Sequence, residues 1–273
     1  MIPTDSLDDI NTAFSRQSEG YDAYDQSNPI LLWMRQRVYN HVFEFLKPGE
    51  RVLEINAGTG IDAMRFAQYG CTVHATDLSE GMIRQMRKKI TAANLENSIT
   101  IEQLSYTELN RISNGPFDYI FSNFGGLNCA PNLRLVTQHI DDLLKPGGRL
   151  TWVIMPKISP WEIAAALKGH LRYAFRRLHR GGARAHVEGI YFQCYYFNVS
   201  DVQKALGDGY QLCQSEGLGA LVPPPHRMDF AVSHPDIYAY LKRAEEGYST
   251  SWPLNHWADH VIWTFQKKTR NVS

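Results

Sequence analysis

Between residues 50 and 155 the chain alternates short β-branched segments with longer ones whose apolar residues recur at helical spacing. That rhythm constrains the fold more than any other feature of the sequence. Residues 51–55 read as a first strand, 60–69 as the helix behind it, and 72–76 as a second strand. Ser79 then caps a helix that places Met82, Ile83, Met86 and Ile90 on one face. Further strands are predicted at 98–102, 118–122 and 149–155, with a helical stripe (Leu135, Val136, Ile140, Leu143, Leu144) between the last two. Repeated strand–helix–strand units imply right-handed crossovers and a mostly parallel sheet covered on both faces. The predicted fold class is therefore doubly wound α/β.

The flanks divide the chain further. Pro29, after Ser27-Asn28, opens a helix carrying Ile30, Leu31, Met34, Val38 and Val42, and Lys47-Pro48-Gly49 ends it. After the fifth strand, 160–180 reads as a helix and 187–198 as extended. Ser200 caps a short helix, and strands at 210–215 and 260–266 bracket a helical segment at 235–246. The expected organisation is an N-terminal helical arm (1–48), a cofactor-binding core (49–156), a lid inserted over the acceptor side (157–198) and a C-terminal completion of the sheet (199–273). Lys+Arg and Asp+Glu both number 28, so the net charge is zero, which argues against bulk attraction to nucleic acid. The four cysteines form no C-x-x-C pair and give no zinc or redox motif. The N-terminus has neither a basic region nor an apolar run of the secretory kind, and the longest apolar run, 150–155, is too short to span a bilayer. A cytoplasmic protein is expected.

In a doubly wound sheet ligands bind beyond the carboxyl ends of the strands. Strand one runs into Glu54-Ile55-Asn56-Ala57-Gly58-Thr59-Gly60, where glycines permit close backbone approach at a helix N-terminus. After strand two comes Asp77, 19 residues beyond Gly58, where an acid can accept from both hydroxyls of a ribose. Together these indicate an adenosine cofactor. Gly58-Thr59-Gly60-Ile61-Asp62-Ala63 also fits the G-x-G-x-x-A dinucleotide pattern, which keeps a nicotinamide-dependent oxidoreductase as the alternative. Glu54 discriminates: a carboxylate beside the loop repels a pyrophosphate but suits the cationic tail of S-adenosylmethionine.

Four segments in order resemble the class I S-adenosylmethionine-dependent methyltransferases of small-molecule type. They are Val-Leu-Glu-Ile-Asn-Ala-Gly-Thr-Gly at 52–60, Ala-Thr-Asp-Leu-Ser-Glu-Gly-Met-Ile at 75–83, Phe-Asp-Tyr-Ile-Phe-Ser-Asn-Phe at 117–124 and Leu-Leu-Lys-Pro-Gly-Gly-Arg-Leu at 143–150. Upstream, Ala-Phe-Ser-Arg-Gln-Ser-Glu-Gly-Tyr-Asp at 13–22 resembles the family's N-terminal arm. The resemblance implies a seven-stranded Rossmann-like sheet. It also implies that Gly58 and Gly60, with Ala57 between strand and glycines, pass under the methionine part near Glu54. Asp77 holds the ribose, Leu78 and Met82 border the adenine, Ser122 and Asn123 line the methionine end, and Tyr21 closes the site from the arm. Asn56 stands where the family usually has a glycine, and Asn tolerates the left-handed backbone better than most residues. Ser105 stands where many members read the adenine amino group with an Asp, so Ser105 or the backbone of Tyr106 has to replace that contact.

Methyl transfer from a sulfonium is an in-line displacement that depends on positioning and water exclusion, so no metal is implied and no catalytic residue is assigned. The loop after strand four, Ser-Asn-Phe-Gly-Gly-Leu-Asn-Cys, lacks the N/D-P-P-Y/F pattern of amino-group methylation in nucleic acids and proteins. The expected acceptor is a small metabolite or natural-product intermediate, and a non-catalytic S-adenosylmethionine-binding protein is the alternative that is not an enzyme. Asn128, in the same loop, is within reach of an acceptor, but a loop Asn more often caps its own backbone. His186, Tyr191, Tyr195, Tyr196, His226, Arg227 and His260 are the remaining polar and aromatic residues of interest, and none acquires a role from sequence alone. Finally, Lys168, Arg172, Arg176, Arg177, Arg180 and Arg184 accompany Ile163, Leu167, Leu171, Phe175 and Leu178 at three- or four-residue spacing. This reads as an amphipathic basic helix, either a solvated lid face or a receiver for an anionic carrier, substrate or membrane surface.

Overall fold

The computed structural model describes residues 4–269. Two helices, α1 (Thr4–Ser27) and α2 (Pro29–Phe45), precede β1 (Arg51–Ile55), α3 (Ile61–Gln68), β2 (Thr72–Asp77), α4 (Glu80–Ala92), β3 (Ile99–Gln103) and β4 (Phe117–Ser122). The one-turn helices α5 (Arg134–Thr137) and α6 (Ile140–Leu143) lead into β5 (Leu144–Ile154). Next come α7 (Pro160–Ala164), α8 (Leu171–Ala174), a hairpin of β6 (Ala183–Val187) and β7 (Ile190–Cys194), and α9 (Val199–Leu206). Then β8 (Tyr210–Leu218), α10 (Met228–Ser233), α11 (Pro235–Tyr248) and β9 (His260–Lys267) complete the chain. Seven strands form one sheet in the order β3-β2-β1-β4-β5-β9-β8, parallel except for β9, which is antiparallel to both neighbours. This is the doubly wound, mostly parallel sheet expected from the sequence.

The rhythm of burial explains the two layers. Leu53, Ile120 and Trp152 face one core with Trp263, while Val52, Tyr119, Phe121 and Val153 face the other with Ile262. Strands covered on both faces carry apolar residues toward each, as parallel sheets require. The second core receives Ile30, Met34, Val38 and Val42 of α2, whose start is fixed by Asn28 accepting from the amides of Ile30 and Leu31. Within the expected arm, α1 is a full helix ahead of the one that Pro29 opens. It docks on the start of α4, where the Asn11 and Ser15 side chains accept from the amides of Glu80 and Gly81 and Ser79 caps Met82. A helix N-terminus leaves such amides without partners inside the helix, and here the arm supplies them.

Several local expectations need correction. The stripe at 132–144 is two single turns, and β5 starts at Leu144, with a register shift against β4 that absorbs Pro146-Gly147-Gly148. The helix at 199–206 is capped by Asn198 in a capping box with Asp201, so Ser200 lies inside it. The extended segment at 187–198 is half of a hairpin that begins at Ala183 and packs its second strand against α1.

The largest correction concerns the basic segment, which is not one helix. Gly169 takes a left-handed φ of 82° and ends the first helical piece, and the remainder is single turns before the hairpin. Arg177 turns inward, only 4% exposed, and donates to Glu162 Oε1, Asp259 Oδ1 and the carbonyls of Pro156 and Asp259. Arg176 grips the same Glu162 with two hydrogen bonds of 2.7 and 2.8 Å. The apolar side that was expected to pack is outside: Leu167 is 92% exposed and Leu171 60%. Arg177→Met is therefore expected to detach this segment. Removing one partner of a buried ion pair costs about 3–5 kcal/mol. Limited proteolysis between residues 165 and 182 should accelerate more than about tenfold, following the population of the opened form. An unchanged cleavage rate would show that the arginine does not anchor this segment.

Candidate cofactor site

The sheet order reverses between β1 and β4, and a cavity opens at their carboxyl ends, where such sheets bind ligands. After β1 the chain turns through Asn56 (φ 58°) and Gly58 (φ 56°), both left-handed, and enters α3 at Gly60 (φ 78°). Asn56 thus supplies the turn that a glycine usually makes. Gly60 has a packing reason as well: a Cβ there would stand 2.5 Å from Met86 Cγ of α4. Asp77, at the end of β2, accepts from the Gly58 amide at 2.8 Å through Oδ2 and from the Ser79 amide at 2.7 Å through Oδ1. Each oxygen keeps a lone pair for a further donor.

Of the residues assigned from the sequence, Tyr21, Asn56, Gly58 and Asp77 line the cavity, as do Leu78, Met82, Tyr106 and Asn123. Glu54 and Ser122 lie buried at the ends of β1 and β4 behind this wall, and Ala57 packs into the core. Ser105 is not brought into the cavity, because its hydroxyl pairs with Thr107 Oγ1 at 2.9 Å and accepts the Thr107 amide. The Tyr106 side chain lines the wall instead, its hydroxyl donating to the Cys129 carbonyl at 3.2 Å. Asn128 is fully buried and stitches backbone, donating to the carbonyls of Met155 and Tyr195 and accepting the Met155 amide, so it is no acceptor contact. The sequence reading missed Ile10 and Phe14 of α1 and Phe124, Gly125 and Gly126 after β4. Ile10, Phe14 and Tyr21 share one helical face, a spacing present in the sequence.

Also unforeseen is a buried ion cluster beneath the cavity. Arg35 of α2 donates to Asp25 through Nε and Nη2 (3.2 and 2.6 Å) and to Asp62 through Nη1 (2.6 Å). Asp62 accepts in turn from Tyr39 and from Asn123 Nδ2 at 2.8 Å, and the Arg35 guanidinium lies 4.8 Å from the Phe124 ring centroid. The arm and α3 thereby orient the loop after β4. Burial pushes the Tyr21 phenol up to about 12, against the opposing pull of Arg35.

Unpaired atoms indicate what the site accepts. Among the described residues, Glu54 Oε2, Asn56 Nδ2 and Ser122 Oγ are buried with no hydrogen-bond partner. Buried polar groups are normally satisfied, so three such atoms at neighbouring strand ends call for a polar ligand. Burial, then Asp62, push the Glu54 carboxyl well above its ordinary range, with Arg35 opposing, and a cation beside it would reverse that cost. The Gly58 amide is already given to Asp77 and the Gly60 amide to the Ala57 carbonyl, so the loop is a poor phosphate cradle.

Burial also raises the Asp77 carboxyl to about 6, despite the amides of Ser79 and Gly58 that favour its charged form. Its ionised form, the one able to accept from the loop and from a ribose together, dominates only above that value. Cofactor affinity is expected to fall as pH drops from 7 through 6 and to be largely lost by pH 5, which calorimetric titration across this range would reveal. A flat profile would mean Asp77 is ionised throughout or makes no contact.

Residues 52–148 match the family described as "Methyltransferase domain". Over these residues the core of the chain is similar to that methyltransferase family. The chain is 28% identical over 133 residues to a demethylmenaquinone methyltransferase of Corynebacterium efficiens, an alignment covering 48% of this chain and 54% of that protein. The chain thus spans about half the length of that relative. A malonyl-[acyl-carrier protein] O-methyltransferase of Ilyobacter polytropus is 23% identical over 215 residues, covering 76% of this chain and 71% of the relative. Among solved structures, the 1,6-didemethyltoxoflavin-N1-methyltransferase of Burkholderia thailandensis superposes with a TM-score of 0.59 at 14% identity, covering 98% of this chain and 91% of its own. That likeness shows the fold alone, over nearly the whole chain.

Proposed function

We propose that this protein binds S-adenosylmethionine in the cavity between β1 and β4 and transfers its methyl group to a small-molecule acceptor. The observation that carries the reading is the pairing of Asp77, with free lone pairs at the loop, and Glu54, buried with an unpartnered oxygen. A ribose suits the first and a cationic amino-acid tail the second, whereas a pyrophosphate beside both carboxylates is disfavoured. S-adenosylmethionine supplies a methyl group already activated on a sulfonium. Residues of the chain then have to position and enclose. Asp77 fixes the ribose, Leu78 and Met82 flank the base, Glu54, Asn56 and Ser122 hold the amino-acid end, and Tyr21, Ile10 and Phe14 of the arm cover the site.

The relatives named for demethylmenaquinone and malonyl-carrier substrates support a small acceptor, the second of them carrier-bound. Exposed Lys168, Arg172, Arg180 and Arg184 on the lid support reception of an anionic acceptor, carrier or surface. Among the described residues no helix is long and apolar enough to cross a membrane. The test is incubation with methyl-labelled donor and a small-molecule extract, followed by a mass search for a methyl gain. Transfer into one low-mass product is expected. Cofactor binding with no transfer into any extract would instead favour the non-catalytic binding protein.

A further inference from the structure

A second cavity, of about 290 Å³, lies between the segment after β5 and the turn at 224–227. Trp161, Lys168 and Tyr173 line it from the lid, His226 and Arg227 from the turn, and Asp259 from the segment that enters β9. His260, the first residue of β9, lines neither cavity but touches residues of both. Its Nδ1 is 3.0 Å from Asp259 Oδ2, and its ring meets Phe124 edge-on at 5.8 Å. Nε2 is 3.6 Å from the point where a Cβ on Gly125 would stand, and both Phe124 and Gly125 line the cofactor cavity. No hydrogen bond occupies Nε2 among the described residues.

This geometry is that of an oriented base. The Asp259 carboxylate accepts from Nδ1–H, which leaves the Nε2 lone pair facing the cofactor side. Asp259 is itself fixed by Arg177 Nη2 at 2.9 Å, and Arg177 is held by Glu162. Burial pushes the Asp259 carboxyl up, but His260 and Arg177 outweigh it and keep the group ionised. A fully structural histidine would use both ring nitrogens, as His41 does with Glu216 and Thr264. The second cavity supplies the other half. Trp161 Nε1 is buried without a partner, so it offers a donor. Lys168 makes no ion pair among the described residues and Arg227 only a 3.7 Å one with Asp229, whereas Glu162 is neutralised by Arg176 and Arg177. The rim is therefore cationic and its walls aromatic.

We infer that the cavity between Trp161, Lys168 and Arg227 is the acceptor pocket, that it takes an anionic aromatic or enolic hydroxyl compound, and that His260 is the catalytic base. The inference rests on the methyl-transfer reading. As the acceptor oxygen bonds to the methyl carbon, the carbon–sulfur bond breaks toward sulfur and the hydroxyl proton passes to His260 Nε2, later leaving to water. The cationic sulfonium becomes a neutral thioether, and the imidazolium beside Asp259 carries the positive charge.

The test uses 4-hydroxy-3-nitrobenzoate, whose phenolate absorbs separately from its phenol, with protein saturated in S-adenosylhomocysteine. At the pH where the free probe is half ionised, the probe bound to the native protein should be almost wholly phenolate. His260→Gln should bind the probe with similar affinity without that shift. The double variant Lys168→Glu, Arg227→Glu should lose about tenfold in probe affinity, and the neutral benzyl alcohol counterpart should bind the native protein about tenfold more weakly. Stabilisation by S-adenosylhomocysteine must persist in each variant, which shows that it is folded. No probe binding, equal binding of the neutral counterpart, or the same phenolate shift in His260→Gln would overturn the inference. Failure of S-adenosylhomocysteine to stabilise the native protein would instead remove the methyl-transfer reading beneath it.

Discussion

Asp77→Ala is expected to weaken binding of S-adenosylhomocysteine by about a hundredfold or more. Hydrogen bonds to a charged group are worth about 1.5–3 kcal/mol each, and a ribose diol makes two with this carboxylate. At 1.4 kcal/mol per factor of ten, their loss alone reaches that range. The substitution also frees the Gly58 amide, which Asp77 holds at 2.8 Å, so the glycine loop loses the tie that sets its height over the cavity. Asp77→Asn keeps one acceptor but turns an amide nitrogen toward the Gly58 or Ser79 N–H. It should recover only part of the affinity. Calorimetric titration of the three proteins settles the order, and an alanine variant within about threefold of the native affinity would mean the ribose binds elsewhere.

Arg35→Met has the largest expected effect on stability. Arg35 is 6% exposed and bridges Asp25 and Asp62, so its removal leaves two buried carboxylates without their cation. Breaking such a cluster from one side costs about 3–5 kcal/mol. For a chain of this size each kcal/mol is worth about 2–4 °C, so the melting temperature should fall by about 10 °C. A second consequence separates this role from bulk packing. Asp62 orients Asn123 through a 2.8 Å hydrogen bond, and Arg35 stacks on Phe124, so the cofactor wall should loosen too. Reduced stabilisation by S-adenosylhomocysteine is expected on top of the lower melting temperature. Native-like stabilisation by the ligand would confine Arg35 to the fold.

The sheet was legible because its strands are buried on both sides, which forces continuous apolar runs such as Val52-Leu53 and Tyr119-Ile120-Phe121 that a single sequence displays. The cofactor loop was legible because left-handed turns and an acid at a strand end carry local signatures, as Asn56, Gly58 and Asp77 do. Interactions between distant segments carry none. Arg35 reads as one polar residue in an amphipathic helix, and nothing local to it indicates Asp62, 27 positions away. Arg177 likewise joins a run of arginines that looks uniformly solvated, yet it reaches Asp259 across 82 positions. The segment after β5 departs from the expected single helix for a related reason. A three-to-four spacing of apolar residues is compatible with a helix, but a left-handed Gly169 and the inward pull of Glu162 on Arg176 and Arg177 break it into turns. Ser105 was placed by position in a motif, whereas its own short-range partner, Thr107, decides where its hydroxyl goes.

On the proposed reading, Glu54 and Asp77 select a cationic, phosphate-free adenosine cofactor. A thermal-shift comparison of S-adenosylmethionine, S-adenosylhomocysteine and NAD(H) tests it most directly. A ligand that binds only the folded state at a hundredfold excess over its dissociation constant contributes about 2.7 kcal/mol. At about 2–4 °C per kcal/mol, that corresponds to a rise of several degrees. The account predicts that rise with both S-adenosyl compounds and none with NAD(H). Stabilisation by NAD(H) alone would contradict it.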